Sequence, residues 1–397
     1  MNKICIIDSY SHKYFHEINN ASIFIECLSI SDQITYFSGL SALKSLKNII
    51  GDRDVSSVTF KTIPVVEGDS KVHTLLRLFM SAIINCVLLF KSEKGAILFY
   101  NYNNIFSLSW INSLNKVLKR KIAILCHGEF ETFNLDIVQN YSIFWKFYNN
   151  TVKTFFRKKS IKIAEKIIFL VLGDNIKTNL KMHIPNNIHE KIYSIDHSYI
   201  NKSFCSSNIV SKRNNESIIK VGMIGQVRKG KNISDIVLLT KRLSSEILSG
   251  KLIFSITGAA TGINIDELRY IGITIPEGKI FLSREEYDNK IAELDYVLFF
   301  YNKDMYQFTA SGPLMDALFL EKPIIALKNN YFEYMFNKYG DFGILLDSID
   351  EMADLIKELS QGKKLPVFDL KSIKYKLRPE KIALQLKLVL EEAGFYK

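Results

Sequence analysis

Short runs of Ile, Val, Leu and Phe recur along this chain, mostly without the apolar–polar alternation of a half-exposed strand. KICIID (3–8), AILFYNY (96–102), KIAILCHG (121–128) and KIIFLVLG (166–173) are of this kind, and SSVTFKTI (56–63) is counted with them. A strand that is apolar on both faces has to be covered on both faces, as in a parallel sheet flanked by helices. Helical patterns lie between the runs, among them GLSALKSLKNII (39–50) and IFSLSWINSLNKVLKR (105–120). After IYSIDHSYI (192–200) the chain passes into SSNIVSKRNNES (206–217), a polar stretch that reads as a linker. The rhythm then restarts at IIKVGMIG (218–225). It continues through a helix near 231–248, KLIFSITG (251–258), KIFLS (279–283), a helix at 284–294, YVLFFYN (296–302), PIIAL (323–327) and GILLD (343–347). PEKIALQLKLVLEEAG (379–394) gives a last helix.

Strands alternating with helices argue for doubly wound α/β architecture. A chain of 397 residues is more than one core usually fills. The expected organisation is a Rossmann-like domain over 1–205, a linker over 206–217, a second Rossmann-like domain over 218–377, and a helix over 378–397 packing back towards the first domain. The two domains are expected to face each other across a cleft.

Hydrophobic residues make up 47% and charged residues 23%, which excludes a disordered or collagen-like chain. The net charge of +11 points to an anionic partner: nucleic acid, an acidic membrane surface or a phosphate-bearing small molecule. No nucleic-acid reader motif accompanies the charge. Cys5, Cys27, Cys86, Cys126 and Cys205 are odd in number and lack CxxC spacing, so a reduced, cytoplasmic protein is expected rather than a disulfide framework or zinc site. The apolar run at the N-terminus is too short for a signal peptide. LLRLFMSAIINCVLLF (75–90) is broken by Arg77 and Asn85 and falls short of the roughly 20 residues of a span, so it reads as a soluble helix with one face available to a membrane. WKFYNNTVKTFFRKKSIKIAEK (145–166) interleaves aromatic and basic residues. It suits an interfacial helix over anionic lipid, or an ordinary amphipathic helix turning Trp145, Tyr148, Val152, Phe155 and Phe156 inward.

Ligands of doubly wound folds sit at the carboxyl ends of strands. The first strand runs into Asp8-Ser9-Tyr10-Ser11-His12 without GxGxxG, and no GxxxxGK[ST] occurs, so neither a dinucleotide-binding Rossmann motif nor a P-loop is present. Asp52-Arg53-Asp54 follows a helix and reads as a solvated turn. KIAILCHG ends in His127-Gly128-Glu129, where the imidazole and the carboxylate are candidates for proton transfer, a satisfied loop histidine being the plainer alternative. In the second half, Gly225-Gln226-Val227-Arg228-Lys229-Gly230-Lys231 joins a strand to a helix. A glycine turn, a helix N-terminus and the charges of Arg228 and Lys231 suit a diphosphate. Gly258 marks a second small-residue turn. Ser311, Gly312 and Pro313 form a helix start, and Asp316 follows one turn in, where a carboxylate suits a ribose diol or simply complements the helix dipole.

These pieces resemble the GT-B-fold glycosyltransferases, and among them the family-four enzymes that build bacterial polysaccharides. The family's Gly-Arg-x-x-x-x-Lys-Gly corresponds here to GQVRKGKN, with Lys231 on the family lysine and Gln226 on the family arginine. Asp316-Ala317 match its second acidic residue and alanine, and Glu321-Lys322-Pro323-Ile324-Ile325 match the strand entry that follows. The resemblance implies that Lys231 contacts the donor diphosphate, that Asp316 contacts the ribose, and that His127 lies near the donor sugar. The chain departs from the pattern at Gln226 and at Phe308, which stands where the family has its first acidic residue. The expected activity is metal-independent transfer of a hexose from a nucleotide diphosphate-sugar, a substrate rather than a cofactor, to a lipid-linked glycan such as O-antigen or capsule. The alternatives are an inactive scaffold of a polysaccharide assembly complex and a nucleotide-sugar 2-epimerase.

Overall fold

The computed structural model describes residues 2–13, 16–134, 143–200, 218–228, 233–258, 260–261, 264–275 and 282–396. The chain divides into two compact units: residues 1–202 with 307–310 and 377–397, and residues 203–306 with 311–376.

The first unit runs β1 (Lys3–Asp8), α1 (Glu17–Ile30), β2 (Gln33–Ser38), α2 (Leu40–Ile50), β3 (Val58–Thr62), α3 (Lys71–Lys91), β4 (Ile97–Tyr100) and α4 (Ile105–Leu118). It continues with β5 (Ile122–Leu125), α5 (Ile143–Arg157), β6 (Ile167–Val171), α6 (Asp174–Leu180), α7 (Asn186–His189) and β7 (Ile192–Ser194). The strands form a parallel sheet in the order β3-β2-β1-β4-β5-β6-β7. Successive strand residues point to opposite faces. Cys5, Ile7, Leu98, Tyr100, Ile122 and Ile124 therefore pack with residues of α3, α4 and α5, while Ile4, Ile6, Ile97, Phe99, Ala123 and Leu125 pack beneath α1 and α2. Both faces are dry, which is why these strands read as unbroken apolar runs. β2, which the apolar runs do not mark, is a full member of this sheet.

The second unit runs β8 (Ile219–Ile224), β9 (Val227–Arg228), α8 (Ile233–Arg242), α9 (Ser244–Leu248), β10 (Leu252–Thr257), β11 (Ala260–Thr261), α10 (Ile265–Tyr270), β12 (Ile273–Thr274) and α11 (Arg284–Ala292). β13 (Tyr296–Phe299), α12 (Gly312–Phe319), β14 (Ile324–Leu327), α13 (Asn330–Tyr339), β15 (Gly343–Leu346), α14 (Ile349–Ser360) and α15 (Leu370–Lys376) follow. Its sheet is also parallel, ordered β12-β10-β8-β13-β14-β15. The helical pattern of 231–248 resolves into α8 and α9, and Leu243 between them leaves helical geometry. The strand expected at 279–283 falls mostly outside the described residues. Its last residue, Ser283, caps α11 in a reciprocal box with Glu286, and the edge strand is β12 instead. The expected linker at 206–217 lies outside the described residues. A final helix, α16 (Pro379–Glu392), belongs to the first unit and packs on α1 through Ile382, Leu386 and Leu390.

Candidate functional site

In each sheet the chain reverses its direction of strand addition once, between β1 and β4 in the first unit and between β8 and β13 in the second. Crevices at such points are where ligands of open α/β sheets bind. The candidate residues gather at these two places.

In the first unit, Asp8 ends β1 completely buried. Its carboxylate accepts hydrogen bonds from Asn20 Nδ2 at 3.1 Å, Ser38 Oγ at 3.2 Å and the Ser11 amide at 3.1 Å. Burial raises its pKa, and the hydrogen bonds oppose that rise. Asn20 Oδ1 in turn accepts from Asn101 Nδ2 at 2.8 Å. The Asn101 carbonyl stands 3.0 Å from His127 Nε2. A carbonyl only accepts, so Nε2 carries the proton and Nδ1 is the basic nitrogen of His127. Asp8, Asn20 and Asn101 thus form a hydrogen-bonded chain across the β1 and β4 loops that fixes the tautomer and orientation of His127. The His127 carbonyl is held from the other side by Thr309 Oγ1 at 2.7 Å.

Burial pulls the His127 imidazole down to about 4, so it is neutral at physiological pH. His16 lies beside it, with ring centroids 5.3 Å apart. Burial, and then the closeness of the imidazoles to one another, disfavours protonation of both His16 and His197. His16 adopts a left-handed conformation (φ 53°) at the start of α1, a strained state for a non-glycine residue. Neither His16 nor His197 stood out in the sequence.

Glu129 begins the 3-10 turn Glu129–Phe133 and is buried. Burial pushes its carboxyl up to about 7, against the pull of the backbone N–H groups of Glu129, Gly128 and His127. Its Oε2 is buried with no hydrogen-bond partner among the described residues. Tyr102, Tyr148 and Cys126 surround it closely enough that its charge raises their own pKa values. A carboxyl tuned near neutrality in an aromatic pocket is suited to taking a proton and giving it back.

In the second unit, Gly225 and Gly258 interrupt the paired strands β8 and β10, which resume as the short pair β9 and β11. Gly225 has φ 83° and Gly258 has φ 137°. A Cβ on Gly258 would stand 2.2 Å from the Gly225 carbonyl oxygen, and one on Gly225 would stand 2.7 Å from Pro313 Cγ. The turns after β8 and β10 and the start of α12 are therefore in contact. Ser311 is fully buried, and its hydroxyl is occupied as the cap of α12, accepting from the Leu314 amide at 3.3 Å. Pro313 has no N–H. A Cβ placed on Gly312 would meet no described atom within 4 Å. The backbone of Arg228 is placed in β9; its side chain and all of Lys231 lie outside the described residues.

Asp316 is buried, and both of its carboxylate oxygens are engaged. Arg284 Nη2 donates to one at 2.8 Å and the Tyr287 hydroxyl to the other at 3.2 Å. Arg284 also pairs with Asp288 at 2.8 Å. The carboxylate expected to await a ribose thus ties α11 to α12. Arg284 escaped the sequence reading, although its place just after the cap Ser283 marked it as a helix-start residue. Phe308 belongs to the first unit, where it packs edge-on against Phe133 and His183 at centroid distances of 6.2 and 5.0 Å. Its burial explains the absence of a carboxylate at that position. Among the described residues, no group of three or more His, Cys, Asp or Glu side chains is arranged to hold a metal ion.

No protein-family model matches the sequence, and no curated protein matches it at a significant level. Solved structures do. Anabaena HepE, determined with UDP and glucose, superposes with a TM-score of 0.59 at 12% identity, over 99% of this chain and 100% of that one. Sucrose-phosphate synthase from Thermosynechococcus elongatus gives 0.57 at 10% identity over 99% of each chain. WaaG, a glycosyltransferase involved in lipopolysaccharide biosynthesis, gives 0.54 at 10% identity over 96% of this chain and 98% of that one. At such identities the likeness carries the fold and nothing finer. The chain has the GT-B fold, with two Rossmann-like domains each built on a parallel sheet.

Proposed function

We propose that this protein is a glycosyltransferase that moves a hexose from a nucleotide diphosphate-sugar to a growing lipid-linked glycan of a surface polysaccharide, at the cytoplasmic face of the membrane. The observation that carries the reading is the junction of Gly225, Gly258 and the α12 start at the switch point of the second sheet. The two glycines let the turns after β8 and β10 close on the start of α12, and a diphosphate at this end of α12 would meet helix-start backbone at the carboxyl ends of both strands. Lys231 and Arg228, which follow the first turn in sequence, would add charge to the leaving group. Basic side chains and amides of this kind can stabilise a leaving diphosphate without a bound metal.

The first unit would act on the acceptor. In an inverting course the acceptor hydroxyl oxygen bonds to the anomeric carbon and the bond from that carbon to the phosphate oxygen breaks. The hydroxyl proton passes to Glu129, and the nucleoside diphosphate leaves. Glu129 is better matched to this work at neutral pH than His127, whose conjugate acid is too strong, so His127 would orient the acceptor through Nδ1. Asp316 would meet the ribose by exchanging the longer Tyr287 contact while keeping Arg284.

The inactive-scaffold reading draws on one observation, the burial of Phe308 in the first unit in place of a donor-contacting carboxylate. Release of nucleoside diphosphate from a panel of nucleotide sugars, with extracted membrane lipids as acceptor, separates the two readings. Turnover with one donor, lost in Glu129→Gln, supports transfer. Nucleotide binding without turnover favours the scaffold.

A further inference from the structure

α3 carries an exposed stripe of six apolar residues, Val72, Leu76, Phe79, Ile83, Val87 and Phe90, each between 40% and 65% exposed. Their spacing of three and four places them on one side of the helix, which is about 31 Å long. The helix is long and apolar enough to cross a membrane. Its opposite side is fastened to the first unit. Arg77 donates to the carbonyls of Val66 and Gly68, and Ser81 and Asn85 both hydrogen-bond Ser9. An element held this way lies along a surface and does not span.

The stripe does not end at α3. Phe79 stacks on Phe106 of α4 at 5.8 Å, and Phe106 stacks on Phe147 of α5 at 6.3 Å. α4 adds Trp110, 57% exposed, and α5 adds Phe147, 60% exposed. A contiguous apolar surface over three helices is larger than a monomer's scattered exposed residues. Trp145 lies at the start of α5, 39% exposed, against Phe144 and Tyr148.

The charge of this face selects the occupant. None of α3, α4 and α5 contains an Asp or Glu. Lys71, Lys91, Lys116, Lys146 and Arg157 are exposed on them, and Lys158 and Lys159 follow α5. Burial, and after it the charge of Arg157, lowers the pKa of Lys153. A second copy of this chain, meeting the same face across a two-fold axis, would set cations against cations. We propose that the face formed by α3, α4 and α5 docks on an anionic lipid bilayer, with the α3 stripe immersed at headgroup depth and the lysines and arginines over the phosphates. α3 is then the principal embedded element, with residues 145–166 as its basic flank.

Intrinsic fluorescence of the protein tests this without mutation, because Trp110 reports from the proposed face. Vesicles of phosphatidylcholine with brominated phosphatidylglycerol are expected to quench it, and vesicles of phosphatidylcholine alone are expected to leave it unchanged. Flotation should follow the same order and weaken with salt. Phe79→Glu with Ile83→Glu is expected to reduce vesicle binding at least tenfold while melting like the wild type. Lys116→Glu with Lys146→Glu, at two exposed positions, is expected to reduce it roughly fivefold per charge removed. Absence of quenching, unchanged binding by both double variants, or a dimer dispersed by Ile83→Glu in a protein that ignores vesicles would each overturn the proposal. Nucleotide binding is measured separately, so none of these results bears on the donor reading.

Discussion

Replacing Glu129 by Gln should stabilise the protein at alkaline pH and disable it. The ordinary carboxyl value is 4.5 and burial moves Glu129 to about 7. At about 1.4 kcal/mol per pH unit, keeping this group ionised in the folded state costs on the order of 3 kcal/mol. The sign follows from protonation. Below pH 4.5 the carboxyl is protonated folded and unfolded, and no penalty exists. Between pH 4.5 and about 7 the unfolded state has lost its proton while the folded state keeps its own, so stability falls across that window and levels off above it. Glutamine keeps an oxygen for the backbone N–H groups and removes the charge, but it brings a donor to the place where Oε2 has no partner, at about 1–2 kcal/mol. The net gain above pH 8 is about 2 kcal/mol. Glu26, which burial raises to about 8, produces a parallel loss in both proteins and cancels in the difference. Urea midpoints of wild type and Glu129→Gln from pH 5 to 8.5 give that difference directly. It should grow with pH, while turnover falls by about 10²–10⁴ and loses its rise through pH 7. A difference that stays flat across this range would refute the reasoning, because a carboxyl that ionises without penalty is not held in a pocket that excludes water.

Three further outcomes are expected. Gly258→Ala puts a Cβ 2.2 Å from the Gly225 carbonyl at φ 137°, so it should lower stability by at least ~2 kcal/mol and abolish nucleotide binding, both readable by thermal melting with and without nucleotide. Phe308→Glu restores an acid in sequence but buries it between Phe133 and His183, so the melting temperature should fall steeply and donor turnover should not improve. Asp316→Ala removes the carboxylate that Arg284 and Tyr287 share and should cost about 3 kcal/mol in urea unfolding, so ligand experiments on it need the milder Asp316→Asn beside it.

Where both sheet faces are dry, the sequence announces its strands, and β1, β5, β6, β8 and β13 are plain in the apolar runs. β2 is not, because three of the six residues in QITYFS are polar and a buried strand written that way resembles a loop. The glycine turns and the capped start of α12 were legible because positive φ and missing N–H groups demand particular residues. The histidine cluster was not. His16 and His127 meet only because the sheet order sets β4 between β1 and β5, and no local pattern encodes a contact made by topology. The same holds for the chain from Asp8 through Asn20 and Asn101, whose members are ordinary polar residues until they are hydrogen-bonded. Asp316 was visible as a lone carboxylate on an apolar helix, but its partners Arg284 and Tyr287 sit on a different helix, and only the fold joins them.

Thermal melting of the full-length protein against the nucleoside diphosphates of all common bases, with and without their sugars, tests the central claim most directly. One base should stand out. At a hundred times its dissociation constant it should add about 2.7 kcal/mol of stability, and Gly258→Ala, compared with its own unliganded melt, should show no such gain. A protein that melts identically with every nucleotide would contradict the assignment of a donor site to the turns after β8 and β10.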